Sequence, residues 1–341
     1  MGALWHQRDT VVSALDETRR LGGWTIAALV VLVVGDRIVR GLTMRRAVGA
    51  RTSVHGVVLH DVGAAASYGL PAGGVVGTGM RFRVARGAGI PVVDFLAGVT
   101  AFGVAMSAAS WLLPAVVLGA EVVLLEAGLL DVGLLALSLG VLVGMLGFWA
   151  VVLRSDRMFA RSVDVAERAH ARVAGRLSRF ADLDVRRELL GLRERMRCCV
   201  PRLPSLIAGA VVAQLVAATV LLVALHGLGA AAGLGMIEYA RVFFVTRVLS
   251  ALVPTPGGVG VVEAGLSGAL VAAGVPAAPA VGAVLVYRLG TFVVPILTGT
   301  ACWLLWCRAE RTPVRAGASG SPDRNPAPAG RELTAGPPAI E

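Results

Sequence analysis

Arg247, Glu263 and Arg288 each fall inside a stretch that is otherwise apolar enough to lie within a bilayer. Ionisable side chains at that depth are costly and mark binding sites or ion paths. Between the first two lies the run Val253-Pro254-Thr255-Pro256-Gly257-Gly258, where proline and glycine interrupt a helix. Irregular backbone survives at membrane depth only where protein covers it or where it borders a water-filled cavity. The freed N–H groups of this break, with the positive end of a helix starting near Val259, would suit a phosphate or a carboxylate. A tight turn that serves packing alone is the competing reading. One Arg–Glu pair plus a second arginine leaves a net positive pocket, fit for an anionic headgroup held through paired guanidinium contacts. Against it stands a structural ion pair, with the other arginine snorkelling to the interface. Gly260, Ala264 and Gly268 make a small-residue face for close helix contact. Glu238 and Arg241, three apart, read as a surface pair on one helix.

A second polar group lies earlier in the chain. His60, Asp61 and Tyr68 interrupt an apolar background, and Arg81 follows. His60 and Asp61 would make a proton-linked site, although a solvated interfacial limb is the preferred reading. His55 and His60 are five apart and share no helix face, which argues against a metal site. Asp94 is expected to pair with the cluster Arg81, Arg83 and Arg86.

These residues need elements to hold them, and the composition says which kind. Of 341 residues, 56% are hydrophobic and only 16% charged, against roughly a quarter charged in soluble domains. All 32 basic residues are arginine; with 22 acidic residues the net charge is +10. Without lysine, a Walker-type phosphate loop and Schiff-base or pyridoxal-phosphate chemistry are excluded. Four cysteines and five histidines show no zinc spacing, and no catalytic nucleophile or acid–base pair stands out. The chain therefore reads as an all-α polytopic membrane protein with no cofactor and no metal. It is not expected to be an enzyme.

A spanning helix needs about 20 apolar residues. Five stretches qualify: 22–39, 91–117, 132–153, 204–228 and 277–306. The first is short, and Asp36 and Arg37 near its end read as an interfacial terminus. Segment 52–80 has arginines on both flanks and is too short for two spans. A re-entrant hairpin turning at Leu70-Pro71-Ala72-Gly73-Gly74 fits it. Segment 236–274 is broken in the same way. Pro71, Gly74, Val76 and Gly77 recur 183 positions later as Pro254, Gly257, Val259 and Gly260, the pattern of an inverted repeat with broken helices.

Between the halves, Arg154 to Arg202 holds 13 arginines against seven acidic residues, a net +6. Positive charge collects in cytoplasmic loops. Segment 154–203 is thus expected to be amphipathic and cytoplasmic, as is the C-terminus, in a plasma (inner) membrane. The organisation expected is a polar segment 1–21, a first membrane half 22–153, the arginine-rich segment, a second half 204–307, and a disordered tail 308–341 rich in proline and glycine.

The run from Val253 to Gly265, followed by Leu285-Val286-Tyr287-Arg288-Leu289, resembles the lysylphosphatidylglycerol synthase transmembrane-region family. That family includes the flippase half of the bacterial multiple peptide resistance factor. Its late signature reads approximately P-x-P-G-G-x-G-x-x-E-A, then an arginine in the next helix. The resemblance implies Pro256, Gly257, Gly258, Gly260, Glu263 and Arg288 as site positions. An earlier family element, approximately P-x-x-x-G-E-x-x-R, is matched by Gly77 and Arg81. Thr78 stands where glutamate is usual, Pro71 sits two positions early, and a Glu-Arg pair usual in the following helix is missing. Well-known members add a soluble aminoacyl-transferase domain; with the short tail 308–341, lipid aminoacylation by this chain alone is not expected.

Together these features imply a lipid carrier for an anionic or isoprenoid-linked headgroup, with Arg81, Arg247, Pro256, Gly257, Gly258, Gly260, Glu263 and Arg288 at its site. The alternative is a non-transporting subunit or scaffold for an envelope lipid-modifying enzyme, docked through 154–203. Expected partners are membrane lipids, with an envelope enzyme or a separate aminoacyl-transferase as further ones, and no nucleic acid.

Overall fold

Helix is the regular structure throughout the computed structural model, which describes residues 21–70, 73–124, 128–174, 185–252 and 260–311, together with Thr18. Helix α1 (Gly23–Val48) ends at Gly49, whose φ of 72° lets its N–H return to the Arg45 carbonyl. Thr52 opens α2 (Ser53–Gly69) by accepting the His55 N–H. It is followed by α3 (Gly73–Gly87) and the long α4 (Val92–Leu124). Next come α5 (Leu129–Arg154), α6 (Asp156–Ala174) and α7 (Val185–Cys199). The second half holds α8 (Leu203–Gly227), α9 (Met236–Leu252), α10 (Val261–Ala272) and α11 (Ala277–Arg288). A π-helical segment, Leu289–Val293, joins α11 to α12 (Val294–Arg311).

Among the described residues, four segments are long and apolar enough to cross a membrane: Val92–Leu124, Leu129–Arg154, Arg186–Gly227 and Ala277–Ala309. The chain is an integral membrane protein. Helix α4 is its hub, packed against α1, α5, α7, α8 and α9. Helix α5 lies at the margin on α4, and only 6% of its apolar window is buried. An apolar helix with so little cover faces lipid.

The first expected span, 22–39, is not among those four. It is the start of a 26-residue helix that continues through Asp36, Arg37 and Arg40 to Val48. Those charges are inside the fold, not at an interface: Asp36 is 3% exposed and Arg37 7%. The preferred reading of His60 and Asp61 as a solvated limb fails for the same reason, since both are buried. Limbs α2 and α3, of 17 and 15 residues, pack against each other, as do α9 and α10, of 17 and 12. Each falls short of the ~20 residues that a span requires.

Two apolar cores stack along the molecule. One gathers Leu29 of α1, Leu221 and Leu225 of α8, Phe243 of α9, and Tyr287 of α11. The other gathers Met44 of α1, Leu59 of α2, Phe95 and Phe102 of α4, and Leu206 of α8. Helices α1, α4 and α8 contribute to both, and each changes chemistry between them. On α1 the intervening residues include Asp36, Arg37 and Arg40; on α4 Ser110; on α8 Gln214. A polar layer therefore separates the two cores.

Candidate functional site

The polar layer is built first on α1. Asp36 accepts from Arg37 Nη2 at 2.7 Å and from Arg40 Nε at 2.8 Å, the latter an i,i+4 pair along the helix. Arg37 reaches α2 through Nη1, 3.4 Å from Asp61 Oδ1. The same Asp61 oxygen is 3.0 Å from His60 Nδ1, and its second oxygen accepts from Thr298 Oγ1 of α12 at 3.0 Å. Close helix approach makes this possible. A Cβ at Gly299 would collide with the Asp61 carbonyl, so only glycine lets α12 run this near α2.

Glu263 and Arg288 form the other wall. Glu263 Oε2 accepts the Gly260 N–H at 2.7 Å, capping α10, while Oε1 accepts from Arg288 Nε at 2.6 Å. Gly260 has a φ of 84°, a conformation that glycine adopts without strain. The expected role of this helix start as a bare anion cradle changes accordingly: the Gly260 N–H is taken by the protein's own carboxylate. Arg288 lies over the Phe292 ring at 4.6 Å, and Tyr68 stacks on the same ring. Phe292 belongs to the π segment, where Val294 N–H bonds the Leu289 carbonyl five residues back. Pro295 brings no N–H to the start of α12. Local π geometry is frequent at functional positions. Arg247 of α9 donates from Nη1 to the Tyr287 hydroxyl at 2.9 Å.

Arg37, Arg40, Arg247 and Arg288 all border one cavity of about 260 Å³, together with Tyr68, Ser110, Tyr287 and Thr291. Arg247 and Arg288 were expected at the site; Arg37 was expected at the interfacial end of span 22–39, and Arg40 lies just beyond it. A signal was present: 22–39 is short for a span, and Asp36 with Arg40 has the spacing of an intrahelical pair.

The remaining positions sort differently. Arg81 does not line the cavity. Its guanidinium donates to the Leu59 carbonyl at 3.1 Å and the His60 carbonyl at 3.4 Å, tying α3 to α2. A Cβ at Gly63 would occupy its place. Pro256, Gly257 and Gly258 lie outside the described residues. The small face of Gly260, Ala264 and Gly268 is exposed, and closer packing falls to Gly265, whose added Cβ would sit 3.2 Å from Thr246. Asp94 pairs with Arg195 of α7 at 3.0 Å, not with the Arg81–Arg86 cluster. Arg241 faces Glu121 and Asp131 across helices, at 4.0 and 3.9 Å, in place of the expected contact with Glu238.

The sequence model of one family, described as the lysylphosphatidylglycerol synthase TM region, matches residues 4–299. No curated protein and no solved structure matches the chain.

Proposed function

The chain belongs to the family of the lysylphosphatidylglycerol synthase transmembrane region, and on that premise we propose that it binds an anionic lipid headgroup in the polar layer and carries it between leaflets. One observation carries the reading: four guanidinium groups from α1, α9 and α11 converge on a single cavity between two apolar cores. Burying that much charge costs more than an apolar replacement would, so the arginines are not there for stability alone. Guanidinium is also the side-chain group best matched to phosphate.

The paired half-length helices supply the moving parts of the proposal. Limbs α2–α3 bring Tyr68 to the cavity and limbs α9–α10 bring Arg247. As re-entrant hairpins from opposite faces, they would expose the headgroup to each side in turn while the acyl chains stay in lipid. The arginine-rich helices α6 and α7 then rest at the cytoplasmic face of the inner membrane.

Proteoliposomes carrying labelled lipids test the proposal. Arg288→Ala and Glu263→Ala are expected to abolish translocation while both proteins still insert. Full activity in both variants, or no translocation of an anionic lipid by folded wild-type protein, contradicts it.

A further inference from the structure

The chemistry of the cavity wall says more about the headgroup than its sign. We propose that the site takes a monoanionic phosphodiester and turns away a headgroup bearing an ammonium, so that it holds an unmodified anionic phospholipid and not a lysylated one. This rests on the reading above and narrows it.

Three observations support it. First, Arg37 keeps a donor in reserve. Its side chain is 9% exposed, its Nη atoms serve Asp36 and Asp61, and its Nε has no hydrogen-bond partner. A buried N–H left unmet is costly, so the guanidinium, which borders the cavity, gains by turning a donor towards an acceptor bound there.

Second, among the described residues no carboxylate borders the cavity; its polar wall is guanidinium and hydroxyl. The carboxylates just behind that wall are engaged. Asp36 holds Arg37 and Arg40, Asp61 holds Arg37, His60 and Thr298, and Glu263 holds Arg288 and the Gly260 N–H. An incoming ammonium would have to displace one of those donors while meeting four like charges at low dielectric.

Third, the charges leave a definite remainder. Four arginines against three carboxylates give one uncompensated positive charge, which a single phosphodiester neutralises. At about 260 Å³ the space lies below the roughly 300–1,000 Å³ of drug-sized sites, a fit for a compact headgroup.

The test uses the full chain in phosphatidylcholine nanodiscs doped with phosphatidylglycerol or with lysylphosphatidylglycerol, bound lipid being read by native mass spectrometry. Phosphatidylglycerol should be retained at least about tenfold over its lysylated form, and Arg37→Gln should cut that retention by about tenfold. Soluble glycerophosphoglycerol should displace the lipid, since the phosphodiester is what is recognised. Failure to displace it would assign recognition to the acyl chains and overturn the proposal. Ser110→Asp, which places a carboxylate on the wall and cancels the remaining positive charge, should raise retention of the lysylated lipid to parity with phosphatidylglycerol, a gain that misfolding cannot produce. Equal or tighter retention of the lysylated lipid by wild type overturns the inference but leaves a headgroup carrier standing. Retention of neither lipid over phosphatidylcholine removes both.

Discussion

Arginine is used in two ways in this protein, and the contrast between the central cavity and the α6–α7 surface separates them. At the cavity, Arg37, Arg40 and Arg288 have side chains 9%, 12% and 12% exposed, each bound to a carboxylate within 2.9 Å. On the surface helices, Arg186 and Arg195 are 59% and 58% exposed, with carboxylates at 3.0 to 3.7 Å. Water and salt screen the second group, so its pairs contribute little and what remains is a diffuse positive field. The first group has no such screening, and each charge there depends on a defined partner. Net charge hides this distinction, because both sets count equally towards +10.

Arg193 shows that burial, not the segment, sets the behaviour. It lies on α7 yet is 8% exposed. Its Nε donates to the Leu153 carbonyl, Nη1 meets Asp156 at 2.7 Å, and the guanidinium covers Phe159. It pins the two surface helices to the end of α5.

Substitutions should rank along the same line. Arg37→Ala takes the arginine from Asp61 and leaves Asp36 with Arg40 alone, and should destabilise the protein by about 3–5 kcal/mol, measured by denaturant unfolding in detergent. A loss under about 1 kcal/mol would mean that water reaches the polar layer and that the contrast is false. Arg193→Ala, which removes a charged contact and a carbonyl contact, should cost about 1–3 kcal/mol. The same variant gives a pH readout. The hydrogen bond from Arg193 holds the Asp156 carboxyl below its ordinary 3.8. The contact therefore contributes above that value and is lost as pH falls through the depressed one. An NMR titration should show the Asp156 midpoint rising towards 3.8 in Arg193→Ala. Arg186→Ala should be the mildest, at most about 1 kcal/mol and erased by added salt.

Membership of the fold class was legible in composition, because too few charges and long apolar runs leave helices in a bilayer as the solution. Arg247, Glu263 and Arg288 were legible too, as charges within apolar runs beside a Pro-Gly break. Arg37 and Arg40 were not, since a charge near the end of an apolar window reads as the end of the span. Arg37 is held inside by Asp61 on another helix, a partner that no local window contains, and Arg40 joins it through Asp36, which the two arginines share. Asp94 and Arg241 mislead for the related reason that their nearest charges in sequence are not their nearest in space. Arg81 had the right neighbourhood but faces the carbonyls of α2, a backbone partner that motif spacing does not encode.

The most direct test of the central claim is lipid retention by two variants measured side by side. One, Arg247→Gln with Arg288→Gln, empties the cavity of two guanidinium groups; the other, Arg157→Glu with Arg161→Glu and Arg187→Glu, reverses charge on the surface helices. Native mass spectrometry of each from nanodiscs containing phosphatidylglycerol should show the tightly held lipid lost from the first and kept by the second. The reverse pattern, or equal retention in both, would contradict the account.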